Sequence, residues 1–201
     1  MEVWLQIVVR QAILYSLPVV ISLSLVGAVE AASMPEKKRP KQFFYPLGWG
    51  GVWWPLIASI SMHRAVIIAL PKPASHGVRP ALIRLCSHIL LAAIGWLLYL
   101  WAIGFQQAAG LPPLHFWWAK VLMFFNLCML AMHALPVPGM LAGECLRSSR
   151  LGKRLPSWWE KHEVWLFTFL AASPLLDILP GDYLIYPVYE PLASLADRIW
   201  H

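Results

Sequence analysis

"NLCMLAMHALPVPGMLAGE", Asn126 to Glu144, decides how this chain is read. An apolar run carries one histidine, His133, then breaks into Leu135-Pro136-Val137-Pro138-Gly139. It resumes as Met140-Leu141-Ala142-Gly143. Proline removes a backbone donor and ends a helix, and polar groups inside a bilayer are costly. Two questions follow: what the broken turn is for, and whether His133 carries chemistry.

The rest of the chain places this stretch in a membrane. Of 201 residues, 59% are hydrophobic and 13% charged, about half the charge of a soluble domain, and the mean hydropathy is +0.61. The apolar residues come in long blocks rather than alternating, as membrane spans require. The net charge of +6 sits in short loops between those blocks, where the positive-inside rule accounts for it. It therefore does not point to nucleic acid. Cys86, Cys128 and Cys145 are far apart and odd in number, with no CxxC pair. Neither a disulfide framework nor a thiolate zinc site is indicated. The first apolar segment is too long and too weakly basic at its start to read as a cleaved signal peptide.

The expected fold is an all-α integral membrane protein, one membrane domain over 1–201, with about four transmembrane helices and a re-entrant or bent hairpin. The helices are expected over 3–32, 81–107, 116–135 and 164–179, the hairpin over 48–71, and an interfacial tail over 180–201. The hairpin segment opens with Gly48, Gly50 and Gly51, contains Pro55, and has His63 and Arg64 at its centre. Arg64 on a straight span would be expensive; a bent hairpin covered by other helices tolerates it. If this segment enters and returns, the basic loops at 36–41, 72–84 and 147–161 all fall on one side. The uncharged 108–114 loop and the acidic tail then fall on the other, which satisfies the positive-inside rule.

Four stretches in this order resemble the site-2 protease family of intramembrane zinc metalloproteases. "LPVVISLSLVGAVEAA", from Leu17, is similar to the family helix that carries HExxH. "YPLGWGGVWWPLIASISMHRAVIIALPKP", from Tyr45, is similar to its glycine- and proline-rich re-entrant hairpin. "RPALIRLCSHILLAAIG", from Arg79, stands where the family has a further helix, and "MHALPVPGMLAG" matches the Leu-Pro-x-Pro core before its Leu-Asp-Gly. The resemblance implies a site-2-protease-like bundle. In the family, two histidines and an aspartate bind zinc, and a glutamate acts on the metal-bound water. Those positions fall on Val26, Glu30 and Leu141 for the ligands and on Gly27 for the base. The family's zinc site is therefore expected to be lost and the chain to be a pseudoprotease. The retained scaffold is expected to bind a transmembrane helix of a partner, or the subunits of a membrane complex. Pro136, Pro138, Gly139, His63 and Arg64 are the candidates for that groove. A bacterial inner membrane, with the basic loops cytoplasmic, is the implied location.

Two alternatives stay open. Relocated ligands, Glu30 with His88, His133 and Cys86, would make a metalloprotease or other hydrolase. Two histidines on different helices would also suit a haem- or quinone-linked subunit. Glu30 is expected either to be solvated at the interface or to pair with His133 or Arg64. His162-Glu163 lacks the second histidine of HExxH and reads as a helix start favoured by the helix dipole. Ser59, Ser61 and Ser87 lack a Gly-x-Ser-x-Gly setting.

Overall fold

In lipid, backbone N–H and C=O groups have only each other as partners, so apolar runs fold as helices. A computed structural model describes residues 2–48, 50–105, 112–149 and 162–200. Among these the regular elements are all helical. Helix α1 is Glu2–Ala32, α2 Gly50–Ser61, α3 Val78–Gly104 and α4 Leu114–Met132. A short α5, Leu141–Ser148, follows the proline turn; α6 is Glu163–Ala172; a π-helical run, Asp177–Ile185, leads into α7, Tyr186–Trp200. Three helices, α1, α3 and α4, are long and apolar enough to cross a membrane, and the bent pair formed by α6 and the segment after it makes up to four. This is the build of a membrane protein. Parts of the 108–114 and 147–161 loops, and Trp49, lie outside the described residues.

Helix α1 shows how the faces divide. Val19, Leu23, Val26 and Glu30 form a buried row, while Leu17, Ile21, Leu25 and Val29 form an exposed one. Both rows follow the three-to-four spacing of one helix face. Inside the bundle, α3 and α4 approach tightly at Gly95. A Cβ there would stand 2.5 Å from the Met123 backbone nitrogen.

The segment at 48–71 is a hairpin, half helix and half extended chain. Helix α2 descends to a tip where His63 takes a left-handed φ of 51°. The chain then returns extended, with Val66 to Leu70 fully buried. The return ends beside its own start, since Leu70 N–H donates to the Gly51 carbonyl at 2.8 Å. Arg64 sits at the tip, half-buried and bonded rather than stranded. Its Nε donates to the Ala172 carbonyl at 2.9 Å, and its guanidinium stands 3.8 Å from Asp177. Asp177 also accepts the Val66 N–H at 2.9 Å.

The fifth segment differs from the helix expected over 164–179. It stops at Ala172, because Pro174 forces the residue before it out of the helical region; Ser173 takes φ −81° and ψ 156°. Ten residues of α6 reach about 15 Å, too short to cross the ~30 Å hydrocarbon layer. The chain bends by 78° and continues as a helix. The 180–201 region, expected at the interface, packs against α3: Trp96 donates to the Leu192 carbonyl at 2.9 Å, and the Tyr99 hydroxyl to Asp197 at 3.1 Å.

Gly95→Ala is expected to destabilise the bundle by about 1–3 kcal/mol through overpacking. Thermal unfolding of the detergent-solubilised protein checks this, with Leu97→Ala on the exposed face as the neutral control.

Candidate functional site

Among the described residues, the fully buried charged side chains gather at the carboxyl end of α1. Glu30 faces inward there, and Arg84, nearly two turns inside α3, faces it. Arg84 Nη1 is hydrogen-bonded to Glu30 Oε1, and both side chains are almost wholly buried. The other arm of the guanidinium, Nη2, donates to the Gly139 carbonyl at 2.6 Å. Nη1 also reaches the Ser75 carbonyl at 3.3 Å, while Ser75 N–H donates to Glu30 at 3.1 Å. One buried cation thus joins α1, the hairpin exit, α3 and the proline turn.

A second carboxylate braces the same turn. Glu144, on α5, accepts the Gly77 N–H at 2.8 Å and the Gly139 N–H at 3.0 Å, and His76 Nδ1 lies 3.0 Å away. Burial alone would push its carboxyl up; the bonds from His76, Gly77 and Gly139 outweigh this and hold it below the usual carboxylate value. Gly139 has both backbone groups engaged, the N–H by Glu144 and the C=O by Arg84. Its φ of +80° is the left-handed conformation that glycine adopts without strain. A Cβ added there would stand 3.6 Å from the Pro73 ring. These bonds show what the broken turn is for: it presents Gly139 to two buried charges.

The histidines belong to an adjoining polar cluster. His133 ends α4, its Nδ1 accepting the Leu141 N–H at 3.2 Å and its carbonyl accepting the Ala142 N–H at 3.0 Å. It therefore ties the resumed helix back onto α4. His88, one turn beyond Arg84, has Nδ1 2.8 Å from Asn126 Oδ1. Asn126 in turn donates to Ser22 Oγ and to the Leu122 carbonyl, each at 2.8 Å. The His88 and His133 rings lie 6.0 Å apart, centroid to centroid.

The positions that the resemblance aligns with the family's site have other surroundings and other side chains. Val26 is buried in the core. Gly27 has no room for a side chain: a Cβ there would stand 2.6 Å from Pro46 and 3.3 Å from the Tyr45 ring. The Tyr45 hydroxyl lies 3.4 Å from the Gly27 carbonyl, and burial beside Glu30 pushes its ionisation well up, so it stays neutral. Glu30 is neither solvated nor paired with His133 or Arg64, as the sequence suggested; its partner is Arg84. Leu141 contributes its backbone N–H rather than a side chain. Of the relocated ligands, His88 and His133 are neighbours, and Cys86 is exposed on the outer face of α3. Among the described residues, no three His, Cys, Asp or Glu side chains gather as a metal-holding group.

The five candidate groove residues do not form one surface. Pro136, Pro138 and Gly139 lie at the base of the hairpin, beside Pro73. His63 and Arg64 lie at its tip, about 18 Å of α2 away. Glu163 occupies the first turn of α6, the helix start read from the sequence. Arg84, Glu144 and Asn126 were not singled out from the sequence. The available signal was the pair of opposite charges, Glu30 and Arg84, each set inside an apolar run. The chain matches no protein-family model, no curated protein and no solved structure.

Removing one partner of a buried ion pair leaves an uncompensated charge. Arg84→Ala is thus expected to destabilise the bundle by about 3–5 kcal/mol. Arg84→Lys should fail to rescue it, because an ammonium lacks the two-armed guanidinium that bridges Glu30 and Gly139. The double change Glu30→Leu with Arg84→Leu should recover much of the loss. Thermal unfolding of the four proteins checks the series.

A pH series tests the Glu144 brace. Its carboxyl is held below the unfolded value, about 4.3, so its contribution is complete above that value. It is lost as pH falls through the lower folded value. Between pH 6 and pH 3, wild type should lose more stability than Glu144→Gln, read as unfolding midpoints.

Proposed function

We propose that this protein is a membrane-embedded binding or structural subunit built on a site-2-protease-like scaffold without the family's metal chemistry. In this reading it holds a transmembrane helix of a partner or the subunits of a membrane complex. It resides in a bacterial inner membrane with its basic end in the cytoplasm.

The observation that carries the reading is the Glu30–Arg84–Gly139 brace. Glu30, the one ligand-type residue among the positions aligned with the family's metal ligands, is paired with a fixed guanidinium that also anchors the proline turn. Tyr45 and Pro46 seal the position aligned with the general base. The polar groups bond one another, as in a brace whose task is to hold helices in register.

The basic residues support the orientation. The base of the hairpin meets the end of α1 through Tyr45 and Ser75 and meets α5 through Gly77. Lys37, Lys38, Lys41, Arg79 and Arg147 therefore cluster near one end of the bundle. An anionic cytoplasmic leaflet and the positive-inside rule favour that end facing inward.

The test combines metal analysis with proteolysis. The purified full chain, reconstituted with a transmembrane-helix reporter, should show no chelator-sensitive cleavage. A partner identified by co-purification should bind the purified protein at fixed stoichiometry. Stoichiometric zinc, with cleavage abolished in both Glu30→Ala and His133→Ala, would overturn this reading in favour of the relocated-ligand enzyme.

A further inference from the structure

The outward faces of α1 and α3 do not close on each other. Between Leu25 and Val29 on one side and Leu82, Leu90 and Ile94 on the other runs an open apolar groove of about 560 Å3. Among its described lining residues the only charge is Arg79, exposed on the first turn of α3. The groove thus has one cationic mouth and an apolar body.

Its depth matches one leaflet. Arg79 to Ile94 is about 22 Å along α3 at 1.5 Å per residue. That is about half the 40–45 Å of a bilayer with its headgroups. The next hollow on this side holds about 180 Å3, with α4 supplying part of its wall. An acyl chain of one leaflet fits within the depth of the groove.

Charge complementarity selects the headgroup. The carboxylates of Glu30 and Glu144 at this end are buried and bonded internally. Lys37, Lys38, Lys41 and Arg79 face outward, against Glu36 as the exposed acid nearby. Basic pockets between transmembrane helices are sites for anionic headgroups.

We propose that the α1–α3 groove is a binding site for one anionic phospholipid, its phosphate on Arg79 and an acyl chain lying between Val29 and Leu90 down to Ile94. The site requires only that the bundle sits in a bilayer, so it stands independently of the partner-binding reading.

Native mass spectrometry tests it on the full chain released from nanodiscs of mixed phosphatidylglycerol and phosphatidylcholine. Wild type should retain one phosphatidylglycerol, favoured at least fivefold over phosphatidylcholine. That factor corresponds to about 1 kcal/mol for one cation at the surface. Arg79→Ala should lose the preference and Arg79→Lys should keep it. Leu90→Trp, which fills the groove, should lose retention of both lipids. Circular dichroism of the same samples should show unchanged helicity, since both positions are exposed. Equal retention of the two lipids by wild type would overturn the proposal, as would a preference that survives Arg79→Ala or retention that survives Leu90→Trp.

Discussion

A buried guanidinium has to be neutralised and hydrogen-bonded on several sides at once, and this requirement organises the end of the bundle that carries the proline turn. Arg84 is satisfied only when Glu30, Ser75 and Gly139 arrive together. Such a pair contributes little net stability compared with well-packed apolar residues, because desolvation offsets most of the attraction. What it does supply is register. Apolar faces slide past one another at small cost, while a charge with one set of partners accepts one arrangement.

The hairpin and the proline turn are two halves of the same solution. An extended chain inside an apolar bundle has backbone groups that need partners. At the tip, Asp177 takes the Val66 N–H; at the base, Gly51 takes the Leu70 N–H. Beyond the base, Glu30 and Glu144 receive the Ser75 and Gly77 N–H groups. Acidic residues here cap backbone donors, a role that elsewhere falls to secondary structure. His133 does the same work with its ring, fixing the first turn of α5.

The sequence made the coarse architecture readable and left the pairing hidden. The long apolar runs of α1, α3 and α4 are visible because hydropathy is a local property. The hairpin was legible from Gly50, Gly51, Pro55 and Arg64, residues that fit poorly on a straight span. The break after Ala172 was missed although Pro174 marks it, because the apolar residues on both sides hid the interruption. Arg84 does not stand out in the sequence. Its partners lie 54 and 55 positions away in the chain, and nothing in a window of sequence connects them. His133 drew attention as a lone polar residue, and its actual partner, a backbone N–H eight residues on, leaves no compositional trace.

The tip of the hairpin has a consequence for how the chain is made. Arg64 and Val66 find their partners at Ala172 and Asp177, 108 and 111 residues later. At about 5–20 residues per second, a ribosome needs several seconds or more to reach them. During that interval the tip is synthesised, charged and unfinished. Water or the insertion machinery must serve its polar groups until the carboxyl-terminal segment arrives. The tip of the hairpin is therefore among the last parts to be completed, and the segment around Ala172 and Asp177 acts as its closing piece.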